Sequence, residues 1–167
     1  MNIARLLLFC LLFSSSAHAA VHAYFSPKGG VKEAILKEIY RTDKSIYIQA
    51  YSFTSRDISN ALIEVHQNLG VEVIIVLDRM HEKHNEIAMK FKMAGIPVFI
   101  DRQHQNAHNK IMILDHKRIW TGSPNFTEAA ESHNAENGLL LDGIEARQVM
   151  YQYLENFRLH KTHSIQY

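Results

Sequence analysis

The chain has 167 residues, enough for one domain with a full apolar core and too few for two. Hydrophobic residues make up 47% and charged residues 21%, with 7 Gly and 3 Pro, a balance that excludes disordered, fibrous and low-complexity classes. The formal charge is only +1, so no global basic field marks a nucleic-acid binder, and such a function would need a local basic groove.

Residues 1–19 stand apart. Arg5 supplies a positive start, Leu6 to Phe13 is an apolar run, and Ala17-His18-Ala19 is a small-x-small cleavage pattern. The reading is a secretory signal peptide cut after Ala19, because the apolar run is well under the roughly 17–25 residues that span a bilayer. Removing it leaves 17 Lys+Arg against 17 Asp+Glu, and it takes away Cys10, the only cysteine. The exported chain therefore has no disulfide, cysteine nucleophile or thiolate metal site, and its core alone must hold it. The expected location is the periplasm or the exterior, with no stable membrane association after cleavage, and residues 20–167 form one domain.

Strands and helices alternate from there. Val21, Ala23 and Phe25 give a first strand ending at Ser26-Pro27-Lys28-Gly29-Gly30, and Ile35, Leu36 and Ile39 place a helix over Val31 to Thr42. Ser45 to Ser52 is strand-like. Thr54 or Ser55 caps a helix with the stripe Ile58, Ala61, Leu62, Val65 and Leu69, stopped by Gly70. Val71 to Leu77 is β-branched and almost wholly apolar, as in a strand covered on both faces. A charged loop, Asp78 to His84, leads to a helix at Asn85 to Ala94 and a short strand at Pro97 to Ile100. Lys110 to Leu114 and Arg118 to Thr121 are strands joined at Asp115-His116-Lys117, and Gly138 to Leu141 is another. Ile144 to His160 is the longest helix, facing Val149, Met150, Tyr153, Leu154 and Phe157 inward. The fold class is α/β, a mixed β-sheet flanked by helices on both faces.

The chemistry concentrates in His108-Asn109-Lys110 and Gly122-Ser123-Pro124-Asn125. Side chains two apart on a strand share a face, so an imidazole and an ammonium converge if a strand begins there. That pairing sets a nucleophile beside a phosphate-binding charge. A Gly-Ser-Pro-Asn turn after the neighbouring strand brings a hydroxyl and an amide to the same end, so phosphoryl chemistry needs no metal.

His108-x-Lys110, four residues, Asp115, six residues, then Gly122-Ser123-x-Asn125 resembles the phospholipase D superfamily at every spacing. Ala50-Tyr51-Ser52-Phe53-Thr54, Ser26-Pro27 and Asn134-Ala135-Glu136-Asn137 are also similar to its small bacterial nucleases. The resemblance implies that fold and a phosphodiesterase without cofactor. Its catalytic residues would be His108, Lys110 and Asn125, supported by Asp115, Ser123 and Glu136. His108 would form a phosphohistidine, Lys110 and Asn125 would orient phosphoryl oxygens, and Ser123 would add a donor. Glu136 would hold the histidine's other nitrogen, and Asp115 would stabilise the fold. Only one motif copy is present, since His81-Glu82-Lys83 is followed by Ala88 where an Asp is required. The resemblance therefore implies a homodimer in which His108 of each subunit meets the other on the two-fold axis. A joint acid–base pair of this kind implies a bell-shaped pH–rate profile.

The 11 histidines raise a metal alternative, with His104 and His108 four apart, His81 and His84 three apart, and Asp78, Asp101 and Glu82 near them. Gln103 to Ala107 reads as a loop, which spoils the helical spacing His104 and His108 would need, so no metal is expected. Arg79, Lys83, His84, Arg102, His104 and Arg118 fall outside the apolar stripes, where a groove for phosphates competes with an ordinary solvated face. The leading expectation is a nonspecific endonuclease acting on DNA, with RNA as a further candidate substrate. The alternative is a phospholipase D-type lipid phosphodiesterase or transphosphatidylase, and a non-catalytic nucleic-acid binder ranks third.

Overall fold

A computed structural model describes residues 20–82 and 86–167, so the signal-peptide reading, Lys83 and His84 lie outside the described residues. Its elements run β1 (Ala20–Ser26), α1 (Val31–Tyr40), β2 (Ser45–Ala50), α2 (Arg56–Leu69), β3 (Glu72–Asp78), α3 (Glu86–Met93), β4 (Val98–Asp101), β5 (Lys110–Leu114), β6 (Arg118–Gly122), α4 (Glu128–Ser132), β7 (Glu136–Asp142), α5 (Gly143–Thr162) and β8 (Ser164–Gln166). A single 3-10 turn, Arg79–His81, follows β3. The strands form one eight-stranded sheet in the order β1-β7-β6-β5-β2-β3-β4-β8. β2, β3 and β4 are parallel to one another; the other neighbours pair antiparallel. The sheet is thus mixed, as expected.

Local chemistry accounts for the element ends. The Ser55 side chain accepts the Ile58 N–H at the start of α2, satisfying one orphan donor, and Gly70 stops the helix with φ 71°. Asp115 and His116 both have φ 54°, and Lys117 N–H donates to Leu114 O at 2.9 Å. Consecutive positive-φ residues give a hairpin turn whose twist matches its strands. Gly138 leaves room for the fully buried Trp120, because a Cβ there would lie 2.5 Å from the indole.

One apolar cluster lies on the face carrying α1, α2 and α3, centred on Ile39, Ile46, Ile48, Leu62, Ile75 and Phe91. On the other face α5 supplies Ala146, Met150 and Phe157 to Val76, Ile111, Ile113 and Ile119, with Val149, Tyr153 and Leu154 packed against them. Helices therefore cover both faces. This is why β5 is buried along its whole length and why its sequence shows no alternation. β8 is absent from the sequence reading: Ser-Ile-Gln is too short to show a pattern and is a strand only because it pairs with β4. Among the described residues no helix is long and apolar enough to cross a membrane.

At the end of the sheet holding the β5–β6 turn, an ionic network is buried. Arg118, 4% exposed, donates to Glu38, 2% exposed, and reaches Asp115 Oδ2 at 3.2 Å and Thr42 Oγ1 at 3.3 Å. The Asp115 carboxylate also accepts the N–H groups of Asp43 (3.2 Å), Lys44 (2.7 Å) and Ser45 (3.2 Å). Burial acts to raise its pKa, but these amides and Arg118 outweigh it and hold the carboxyl below the usual range. Arg118 is therefore no part of a solvated phosphate groove; it ties the α1–β2 connection to the β5–β6 turn.

Arg118→Leu is expected to lower stability by about 3 kcal/mol or more, because it strands Glu38 without its buried partner. Adding Glu38→Gln should recover part of that loss in chemical denaturation; an undiminished deficit in the double variant would contradict the assignment.

Candidate active site

The carboxyl ends of the parallel strands β2, β3 and β4 lie at the opposite end of the sheet, where open α/β sheets place their ligand sites. β5 runs antiparallel to β2 and begins there. Ala50 pairs with Lys110, and Tyr51 N–H continues the ladder by donating to Asn109 O at 2.9 Å. This register carries Tyr51 to the residue just before β5. Its ring centroid lies 4.3 Å from that of His108, and Lys110 Nζ lies 5.0 Å from the centre of the same ring.

His108 is exposed and Lys110 is buried. Lys110 Nζ is 3.0 Å from His108 Nδ1 and donates to His108 O at 2.9 Å. Two residues in consecutive strand-face positions thus meet, as the spacing predicts. Burial pushes the Lys110 ammonium below its ordinary range, and the charge of Glu136 acts in the opposite sense. The contact lies at Nδ1, and no hydrogen bond to Nε2 occurs among the described residues.

The segment leading to His108 is anchored from β3. Asp78, 1% exposed, accepts the Ala107 N–H at 2.6 Å and the Met80 N–H at 2.8 Å. His81, also buried, accepts the Phe53 N–H at Nε2 at 3.3 Å and sits 3.1 Å from Tyr51 O. Burial keeps this imidazole below the normal histidine range, favouring the neutral ring. Neither residue joins His108 in a metal-type cluster. Asp78 positions the nucleophile's loop, and His81 positions the tyrosine's. The sequence reading names Tyr51 only within the family-like segment Ala50 to Thr54, Asp78 as a candidate only in the metal alternative, and His81 only there and in the rejected second motif copy; the positioning roles of all three come from the structure.

The Gly-Ser-Pro-Asn turn follows β6 at the same end. Gly122 has φ 144°, and a Cβ there would lie 2.3 Å from Asn137 O, so only glycine fits between β6 and β7. Phe126 N–H donates to Ser52 O (3.2 Å), while Thr54 and Ser55 N–H donate to Phe126 O (both 2.9 Å), lacing the turn to the segment after β2. Ser123 Oγ accepts the Asn137 N–H at 3.0 Å and donates to Glu136 Oε2 at 2.5 Å; Asn134 Nδ2 donates to Glu136 Oε1 at 3.0 Å. Asn125 keeps a buried side-chain oxygen with no hydrogen bond among the described residues. That amide is a polar group awaiting a partner.

Glu136 is placed differently from its expected role, whereas Asp115 lies where a fold-stabilising residue is expected. Glu136 makes no hydrogen bond to His108 among the described residues: Lys110 fills Nδ1, and Ser123 and Asn134 hold the carboxylate. Glu136 acts on the pair through its charge on Lys110. Asp115 sits at the far end of β5, roughly 16 Å along the strand from Lys110, within the ionic network. Sequence spacing put it in the motif, but the strand carries it away from His108.

His104, Asp101 and His160 gather separately and without His108. Residues 102–109 form a loop, so His104 and His108 lack the helical spacing of a shared ligand set.

Residues 35–160 match the family model described as cardiolipin synthase, phospholipase D-like domain. The chain is 39% identical over 152 residues to a protein of Rickettsia prowazekii named phospholipase D, covering 90% of this chain and 72% of that one. The crystal structure of Nuc, a phospholipase D family member from Salmonella typhimurium, superposes with a TM-score of 0.82 at 30% identity, covering 90% of this chain and 99% of Nuc. NucT from Helicobacter pylori has the same fold, with a TM-score of 0.77 at 20% identity, covering 90% of this chain and 100% of NucT. With a buried lysine against an exposed histidine at the mouth of this sheet, the chain belongs to the phospholipase D superfamily and is one of its phosphodiesterases.

Proposed function

We propose that the chain is an exported, metal-independent endonuclease acting on DNA, working as a homodimer with His108 of each subunit at one shared site. The observation that carries this reading is the contact between His108 and Lys110 in a chain with a single motif copy. One imidazole and one ammonium supply a nucleophile and a counter-charge but no second proton donor, and a two-fold axis supplies that donor without new residues. The likeness to Nuc, which extends over 99% of that chain, supports a nuclease.

In this mechanism His108 takes the tautomer with its ring proton on Nδ1, so the unprotonated Nε2 attacks phosphorus, a P–N bond forms and the ester P–O bond breaks. His108 of the partner subunit gives its proton to the leaving oxygen. That same ring then takes a proton from water, whose oxygen attacks phosphorus and breaks the P–N bond, restoring both histidines. Lys110 offsets charge building on the non-bridging oxygens, where a preorganised donor acts most strongly. The Nδ2 group of Asn125 donates to the same oxygens. Tyr51 offers an aromatic face beside the nucleophile, and Ser123 holds Glu136 in place.

The second reading, a lipid phosphodiesterase or transphosphatidylase, is favoured by the Rickettsia relative's name. The same residues would serve it, and only the leaving group differs.

Plasmid DNA should be nicked in excess EDTA while phosphatidylcholine vesicles stay intact, and His108→Ala should lose about a thousandfold or more of the activity. Lipid cleavage without nicking would transfer the mechanism to the second reading. The active species should have twice the chain mass in solution; a fully active monomer would remove the shared site. Plotted against pH, activity should be bell-shaped, because one histidine of the pair must be neutral and the other charged; a rate that climbs steadily through neutral pH would contradict the pair. Glu136→Gln removes the charge that opposes the effect of burial and should lower the Lys110 pKa further, as read by NMR titration of the lysine side chain; a rise would refute the electrostatic role of Glu136.

A further inference from the structure

We infer that Asp101, His104 and His160 form a binding site for one zinc-class divalent ion, separate from the catalytic histidine. Nothing in the proposed cleavage uses these three residues, and the inference stands whether or not the nuclease reading does.

The three side chains come from different parts of the fold: Asp101 ends β4, His104 lies in the loop running toward His108, and His160 is in the last turn of α5. One donor atom from each lies within 4.8 Å of the others. The Asp101 carboxylate is completely buried, His160 is 12% exposed and His104 is 45% exposed. The two carboxylate oxygens differ in their main partners, although His104 Nδ1 also lies 3.2 Å from Oδ1. Oδ1 accepts the backbone N–H groups of Gln103 at 3.0 Å and His104 at 3.2 Å. Oδ2 faces both imidazoles, 2.9 Å from His104 Nδ1 and 2.6 Å from His160 Nδ1. The rings stack with centroids 4.7 Å apart, so both Nδ1 edges point at one oxygen.

This is a carboxylate already oriented through one oxygen as a single-point ligand, with two imidazole nitrogens beside it. Amide bonds to the non-ligating oxygen are the supporting contacts that metal-binding carboxylates carry. Two imidazoles and one carboxylate select a zinc-class ion over calcium or magnesium, which take oxygen ligands. In a tetrahedral site with bonds of about 2.0–2.1 Å the donor atoms lie roughly 3.3 Å apart, so the rings need to part by only about half an ångström. The exposed loop position of His104 permits that movement. In the metal-free protein each ring's Nδ1 proton faces Oδ2; on binding, a neutral ring carries that proton on Nε2 instead, and Nδ1 coordinates. A cleft of about 260 Å³ lies against the two histidines, lined also by Gln103, Asn156 and His163. Asn156 has a side-chain oxygen that is buried and makes no hydrogen bond among the described residues, so the cleft holds a further unsatisfied acceptor. A bound ion would clamp the loop preceding His108 to α5 and so stabilise the fold without entering the reaction.

The test uses tag-free protein stripped with EDTA and desalted, then titrated with Zn²⁺ by calorimetry and with Co²⁺ by visible absorption. One ion per chain is expected, with the intense cobalt bands of a four-coordinate site. Saturation at a hundredfold excess over Kd should raise Tm by roughly 5–10 °C. Mg²⁺ should do neither. His104→Ala, half-exposed and tolerant of substitution, and His160→Ala should each weaken Zn²⁺ binding by at least about a hundredfold, while His133→Ala, on the exposed end of α4, should leave it unchanged. No Zn²⁺ or Co²⁺ binding by the wild-type protein, or full binding by both folded histidine variants, would overturn the site.

Discussion

An ammonium buried at the rim of an apolar sheet is the constraint around which this molecule is arranged. Lys110 opens a strand whose residues are all buried, and desolvation works against its charge. What makes the position tenable is a set of nearby acceptors: the His108 carbonyl and ring nitrogen, the face of Tyr51 and the negative charge of Glu136. Each comes from a different part of the fold. Pairing with β2 delivers Tyr51, the loop anchored by Asp78 delivers His108, and β7 delivers Glu136. A charge held in so dry a place acts on a phosphoryl group with little solvent to screen it, and that is why the fold tolerates it.

The two ends of β5 divide the labour. At one end Lys110 meets His108; at the other Asp115, Arg118 and Glu38 bury ions that never approach the first group. Both belong to one linear motif. A linear motif mixes residues that share a reaction with residues that share only a strand, and the five-residue length of β5 separates them.

This division also explains how much could be read from sequence. The element order, the strand Lys110–Leu114, the Ser55 cap and the Gly70 stop were legible because periodicity and capping are local. The approach of Lys110 to His108 was legible from a two-residue spacing. Features set by pairing register were hidden. Tyr51 enters through β2, and Asp78 reaches Ala107 across 29 residues. His160 meets Asp101 across 59 residues, and β8 exists only as a partner of β4. The role expected of Glu136 was misread for a similar reason. Its neighbours Ser123 and Asn134 compete for the same carboxylate, and no spacing rule shows which hydrogen bond prevails.

The central position of β5 has a consequence for how the site is lost. Its amides are hydrogen-bonded to β2 on one side and β6 on the other, with α5 packed over one face and α1 to α3 over the other. Backbone of that kind exchanges its hydrogens only through openings as large as the whole cooperative unit, whereas chain ends and loops open alone. The lysine that defines the site therefore shares the fate of the slowest-exchanging core, and heating should disassemble the chemistry and the domain in a single step.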